Sequence, residues 1–515
     1  FYEPRDGLFK SEDGGKTWKN MGLEATKTIH RILIDPQDEK TIYVGAMGDP
    51  FTKNEHRGLY KTSDGGVSWN KILFTNNSSG IADLVIDPKN PNKIFAAMYD
   101  HHRTPYSYVS GGSGSGLYFS KDNGDSWQKI ESKQGLPEGD LGRIGIAIAP
   151  SNPNRVYAKI EAKKNGLYRS DDGGFSWEKI NDNPKFTNNR PFYFQDLAVD
   201  TKDQNRLYNI YQPLSVSYDG GKTFDPIPMI PADETKGIHA DFHAVWINPK
   251  DPEHFIIGGD GGIGITNDHG KSWYFPENIP VAQFYQINID YDTPFNVYGG
   301  MQDNGNWSGP AYTWKRGGIR TLYWQYLVGG DGFYIAPDRE NSRFGYGTSQ
   351  NGDLYRYDKI SGYYQSIAPQ PLDSKSPLRF NWNSGFAEDP FNSKGVYYGS
   401  QYVHKSQDKG SNWEIISPDL TTNNPEYQKA DYGGLTLDVS GAENYTSILS
   451  IAPSTLNQKI IWVGTDDGQI QLTQDGGTTW KNLTTKVEGL PEESWVARIH
   501  ASRFHEGTAW AVVNN

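Results

Sequence analysis

His239, Asp241 and His243 alternate along the chain, so a strand entered at this point would turn all three side chains to one face. Two imidazoles and a carboxylate so placed could converge on a metal or a substrate oxygen, or form a hydrogen-bonded polar cluster lining a channel. A zinc site would need further ligands from elsewhere, and His101, His102 and Asp260 are the obvious donors. The polar cluster is the reading adopted, with no metal and no cofactor expected. Asp331 stands between Gly330 and Gly332, where missing side chains permit close approach of a ligand or of another backbone. To hydrolyse a glycosidic bond it would need a second carboxyl roughly 5–10 Å away; Asp303, Asp260 and Asp49 are the nominees, Asp303 foremost. A third constellation lies between Tyr99 and Tyr108, where Asp100, His101, His102, Arg103 and Tyr106 precede a glycine-rich run at Gly111–Gly116. Tyrosines beside cations suit the stacking of sugar rings or extended peptides, and Trp307, Trp324 and Trp382 could extend that surface.

These residues must be held by something, and the recurring pattern Ser/Thr-x-Asp-x-Gly-x-Ser/Thr/Asn-Trp/Phe says what. Eight copies of equal length run Ser11–Trp18, Thr62–Trp69, Ser120–Trp127, Ser170–Trp177, Ser217–Phe224, Thr266–Trp273, Ser406–Trp413 and Thr473–Trp480. Their aspartates are Asp13, Asp64, Asp122, Asp172, Asp219, Asp268, Asp408 and Asp475. In a tight turn such a carboxylate accepts bonds from nearby backbone N–H groups, glycine supplies a positive φ, and the hydroxyls close the turn. These eight acids are therefore read as structural staples, and the aromatic residue after each as an apolar anchor.

The first six boxes recur at intervals of roughly fifty residues, the spacing of a repeat architecture. Each unit also contains an apolar strand, a Pro/Asp/Asn turn and a second apolar strand, as in Leu84-Val85-Ile86-Asp87-Pro88 running into Ile94-Phe95-Ala96-Ala97. A Gly-Leu-Tyr strand, the box and a short fourth strand follow in several units. Four antiparallel strands per repeat predict an all-β β-propeller. The expected arrangement is two tandem seven-bladed wheels, over 1–325 and 326–515, each incomplete at its outer end; one ten-bladed wheel is the alternative. Pro/Asp turns and boxes fall on one face of such a wheel, and long irregular aromatic loops fall on the other, where function is expected.

Composition narrows the partners. A net charge of −12 argues against nucleic acid, which needs a basic surface. Zero cysteines excludes disulfides and thiolate metal sites. No apolar run reaches the ~18 residues of a membrane span. The chain opens on Phe1 within a repeat, so it is expected to be part of a longer or processed protein.

The boxes resemble the Asp-box, or BNR repeat. Together with His239-x-Asp241-x-His243 and Tyr298-Gly299-Gly300-Met301-Gln302-Asp303-Asn304-Gly305, they resemble large bacterial propellers of the sortilin-type or BNR-repeat glycosyl hydrolase group. A weaker resemblance extends to xyloglucan-active hydrolases of two seven-bladed propellers, which hold substrate between the wheels and use two aspartates. Gly330-Asp331-Gly332-Phe333 resembles the segment carrying one of these, shortened by two residues; the strand carrying the other is not matched. A sialidase is not supported, because no Arg-Ile-Pro opening precedes the first box. The resemblance implies an extracytoplasmic protein, bacterial in origin, that binds a peptide, a protein partner or a glycan and belongs to a larger cell-surface assembly. The alternative it implies is a polysaccharide hydrolase using Asp331 and a second carboxylate.

Overall fold

The computed structural model describes residues 7–188, 190–229, 238–276, 278–279, 281–371, 377–437, 441–492 and 494–514. The protein is all-β and built from β-propeller blades. Apolar and β-branched residues alternate in Leu141–Ile148, a Pro/Asn turn reverses the chain, and Val156–Ala162 returns beside it. Gly166–Ser170 and Glu178–Asn181 then add in sequence order, each antiparallel to its predecessor. Meanders of this kind account for most of the eleven sheets among the described residues, seven of which have four strands. No described helix is long and apolar enough to cross a membrane.

The chain divides into two compact units, Phe1–Ile279 with Asp431–Asp438, and Pro280–Ala430 with Val439–Asn515. Six of the described sheets lie in the first unit and five in the second. The division lies upstream of the border expected at 325/326, which would fall inside the strand Gln325–Val328. That strand pairs with Gly305–Pro310, so hydrogen bonding keeps it in a sheet begun at Gln286.

Apolar side chains pack between successive sheets. In the first unit Phe95, Leu117, Ile144, Ile146, Val156 and Trp177 form one buried cluster drawn from two adjacent blades. The boxes close their own turns: the Ser170 and Ser176 hydroxyls donate to Asp172 at 2.7 and 2.5 Å, and the Phe175 and Ser176 N–H groups donate at 2.9 and 3.0 Å. Some also fasten blade to blade, since the indole N–H of Trp69, Trp413 and Trp480 donates to the carbonyls of Met21, Ile367 and Ile416 on the preceding blade.

This chemistry predicts an acid limit. Hydrogen bonds from side chains, hydroxyls in most boxes and the Asn412 amide at Asp408, and from backbone N–H groups hold Asp13, Asp122, Asp268, Asp408 and Asp475 at about 2. Asp172 is also held at about 2, against a slight burial that pushes it up. An unfolded aspartate titrates near ~3.9, so the native state binds fewer protons than the unfolded one between these values. The stabilisation is complete above about 4 and is lost as pH falls through about 2. Thermal midpoints measured from pH 6 to pH 2 should fall steeply below about 4; a flat profile would remove this role from the boxes.

Candidate functional site

In the second unit two short segments are knitted together around Asp331. The strand Gln325–Val328 ends in Gly329-Gly330-Asp331-Gly332, which lies against the turn Met301–Gly305. Glycine is required in this contact. A Cβ on Gly332 would lie 2.2 Å from the Gly305 carbonyl oxygen, and Gly330, at φ +81, would place one 2.2 Å from the Ser349 hydroxyl. The Gly305 N–H donates to the Gly330 carbonyl at 3.0 Å, and the Gly332 N–H donates to the Met301 carbonyl at 2.9 Å. Asp331, buried, accepts the Asp303 N–H at 2.6 Å, while its own N–H donates to Gln350 Oε1 at 2.8 Å.

Asp303, held by that bond, adopts φ +56 and is exposed. A left-handed aspartate is uncommon and persists where surroundings over-determine it. Tyr285 lies alongside. Its ring stacks on Phe333 at 4.7 Å and its hydroxyl donates to Gln302 Oε1 at 2.5 Å. Burial, with the charges of Asp331 and Asp303, pushes its phenol above the usual range. The turn thus presents one carboxylate beside an aromatic ring. Such a pair can accept or donate a proton against a sugar hydroxyl or glycosidic oxygen and stack a pyranose face.

The histidine cluster of the first unit is arranged otherwise than by strand alternation. Asp241 is left-handed at φ +77 and a register shift between Phe242 and Ala244 bulges the strand, so the alternation that would align the three side chains is broken. His239 Nδ1 bonds the Ala240 carbonyl at 2.8 Å. His243 pairs with Asp260 at 3.2 Å and stacks on Phe194 at 5.1 Å, and its bond holds the Asp260 carboxyl low.

Tyr99–Tyr108 is a hairpin, not a loose loop, because Ile94–Thr104 continues past the blade and pairs with Ser107–Ser110. His101 is fully buried between Tyr99 and Tyr108, and burial with the nearby Arg57 charge holds its imidazole neutral. It is therefore a packing residue here, and the expectation that it meets ligand is corrected. His102 is partly buried and likewise held low by burial. Arg103 donates to the Tyr193 hydroxyl at 3.0 Å, Tyr106 tilts against Tyr432 at 5.8 Å, and the Asp100 carboxylate accepts the Gly114 N–H at 3.4 Å.

The nominated tryptophans are also engaged. Trp307 donates to the Asn304 carbonyl at 2.5 Å and meets Tyr326 edge-on, while Trp324 stacks on Phe284. Trp382 is half-buried after Asn381, whose side-chain oxygen accepts the Trp382 backbone N–H at 2.7 Å.

Two acidic sites escaped sequence reasoning. Arg31 donates to Asp83 and to Asp196, both at 2.9 Å, and Arg143 lies 3.6 Å from Asp196. Burial opposes the Asp196 charge, but Arg31 and Arg143 overcome it and hold this carboxyl below the usual range. The signal lay in register across repeats: Arg31, Asp83 and Asp196 each stand four residues before a turn aspartate, Asp35, Asp87 and Asp200. In the second unit Asp466, fully buried, is pushed up to about 7 by burial and by Asp467, although Ser447 and Asn381 donate to it.

Residues 6–136 match the family model described as Sortilin-Vps10 (Sortilin, neurotensin receptor 3). The chain is 26% identical over 182 residues to an oligoxyloglucan-reducing end-specific xyloglucanase of Emericella nidulans, a match covering 29% of this chain and 21% of the relative. It is 27% identical over 168 residues to xyloglucanase Xgh74A of Acetivibrio thermocellus, covering 27% of this chain and 17% of the relative. The matches therefore span about a fifth of those relatives' length. Among solved structures, an ancestral GH74 enzyme aligns with 94% of this chain and 81% of its own at 15% identity and a TM-score of 0.42. The chain is thus similar to sortilin-type Asp-box propellers and, over part of its length, to xyloglucanases.

Proposed function

We propose that the protein acts on a polysaccharide as a glycoside hydrolase, with Asp303 one of the two carboxylates such a reaction uses and Asp331 the positioning residue behind it. The observation that carries this reading is the clamp itself. A buried carboxylate is spent on the backbone N–H of a strained, exposed aspartate beside an exposed tyrosine. The likeness to xyloglucanases supports a β-glucan as the substrate class. A substrate of that kind places the protein outside the cytoplasm.

A second reading, glycan or peptide binding without cleavage, is favoured by the first unit. There Arg103, Tyr193, Phe194, His243 and Asp260 follow one another through successive contacts. The two readings part on one experiment. The full chain is incubated with xyloglucan and with other β-glucans, and reducing ends and retained polysaccharide are scored together. Release assigns hydrolysis; retention without release assigns binding. His243→Ala is expected to weaken retention roughly tenfold if the first unit grips the glycan, as loss of a stacked, hydrogen-bonded contact would. Affinity electrophoresis in xyloglucan gels checks it, and unchanged mobility removes His243 from the surface.

A further inference from the structure

Inner strands from four sheets of the second unit, with Tyr334 and Arg339 flanking the strand Ile335–Pro337 of the other, line a cavity of about 330 Å³. Its charge is unlike that of the chain. Arg339, Arg498 and Arg503 line it with His500, and Glu388 is the single carboxylate among the lining residues, in a protein whose net charge is −12. Arg339 is partly engaged, with Nε 3.3 Å from Glu388 and Nη1 3.3 Å from the Asp389 carbonyl. Arg498 donates to Gln286 Oε1, a neutral acceptor, at 2.9 Å. Neither the Arg503 nor the His500 side chain makes a hydrogen bond or ion pair among the described residues, although both residues line the cavity. Three arginines thus line one small space with a single lining carboxylate, an excess of positive charge that an anion would offset.

We propose that this cavity binds an oxyanion carried on a saccharide, the carboxylate of a uronic acid being the form its size and lining fit. Guanidinium groups meet a planar carboxylate through paired N–H donors. The rest of the lining offers what sugar hydroxyls need. Gln286 and Ser384 supply polar side chains, and burial pushes the Tyr334 phenol up, so it enters as an O–H donor. The volume lies at the small end of ligand pockets, the size of one or two sugar rings and not of a polymer. Neither Asp303 nor Asp331 lines this cavity, so the site is separate from the proposed hydrolytic one.

The test is calorimetric titration of the full chain with galacturonate, galactose and inorganic sulfate. Galacturonate is expected to bind saturably and galactose not to. Arg503→Gln, at an exposed position, is expected to weaken galacturonate roughly tenfold or more, as loss of a charged hydrogen bond would. Glu388→Gln should tighten it several-fold by releasing Arg339 and removing the opposing charge. Thermal midpoints of both variants verify that they fold. Galacturonate failing to bind, whether or not sulfate does, overturns the proposal, as does binding that Arg503→Gln leaves unchanged. Equal affinity for galactose also overturns it. Release of neutral sugars from β-glucan is read separately, so the hydrolase reading and this one fail independently.

Discussion

Asp303→Asn should abolish measurable release of reducing ends from β-glucan, lowering kcat by about 10²- to 10⁴-fold with little change in substrate retention. The amide keeps the shape of the side chain and its left-handed backbone, which asparagine adopts readily, but it can neither take up nor deliver a proton at the same position. Asp331→Asn tests the clamp from behind. Its amide can still present an oxygen to the Asp303 N–H, now without charge, so release should fall by a smaller factor and the thermal midpoint should drop with it. Asp331→Ala removes the acceptor altogether and leaves the Asp303 N–H seeking a partner. Its activity should approach that of Asp303→Asn, with KM rising as the turn loses its single geometry. Initial rates on soluble xyloglucan give the split between kcat and KM. Asp303→Asn with wild-type rates would remove this turn from the chemistry.

The second large effect is on stability, in the first unit. Asp83→Ala should destabilise the protein by about 3–5 kcal/mol, the cost of breaking a buried ion pair by removing one partner. The carboxylate of Asp83 accepts Arg31 Nε at 2.9 Å and the Ile146 N–H at 2.7 Å, so its loss leaves the guanidinium with Asp196 as its one carboxylate partner and strands a buried backbone donor. These partners sit on three different sheets, Ile29–Asp35, Ser79–Ile86 and Leu141–Ile148, and their bonds cross the blade boundaries. Urea unfolding followed by tryptophan fluorescence reads the effect as a lowered midpoint at constant slope. Replacing the pair together, Arg31→Met with Asp83→Leu, should recover little of the loss, because Asp196 then keeps only Arg143 at 3.6 Å and the Ile146 N–H still lacks its acceptor. A loss under about 1 kcal/mol for Asp83→Ala would mean that water reaches Arg31.

Much of the fold was legible because its signals are local. The box needs only residues within eight positions of one another: Ser170, Asp172, Gly174 and Ser176 meet inside one turn, whatever surrounds them. Strand order followed equally, since each strand pairs with its neighbour in sequence. The sites were harder. His239, Asp241 and His243 promised a shared face by alternation; a left-handed Asp241 with an adjacent bulge breaks the alternation, yet His243 still pairs with Asp260 and Asp241 comes within 4.8 Å of Asp260. His101 looked like a ligand donor among tyrosines, and those same tyrosines bury it. Asp331 was found by its glycines, and those glycines let it reach the backbone of Asp303.

The sequence by itself determined the repeat, the turn chemistry, the all-β class and the excess of negative charge, because each depends on residues near in the chain or on a sum over it. Tertiary structure decided which charges meet. Arg31 finds Asp83 and Asp196, 52 and 165 residues away, and Arg498 reaches Gln286 across 212. Separations of that size carry no local signal, since whether a carboxylate is exposed, clamped or paired is set by the blade packed against it. The same residue type therefore staples a turn at Asp172, steadies a backbone at Asp331 and meets solvent at Asp303.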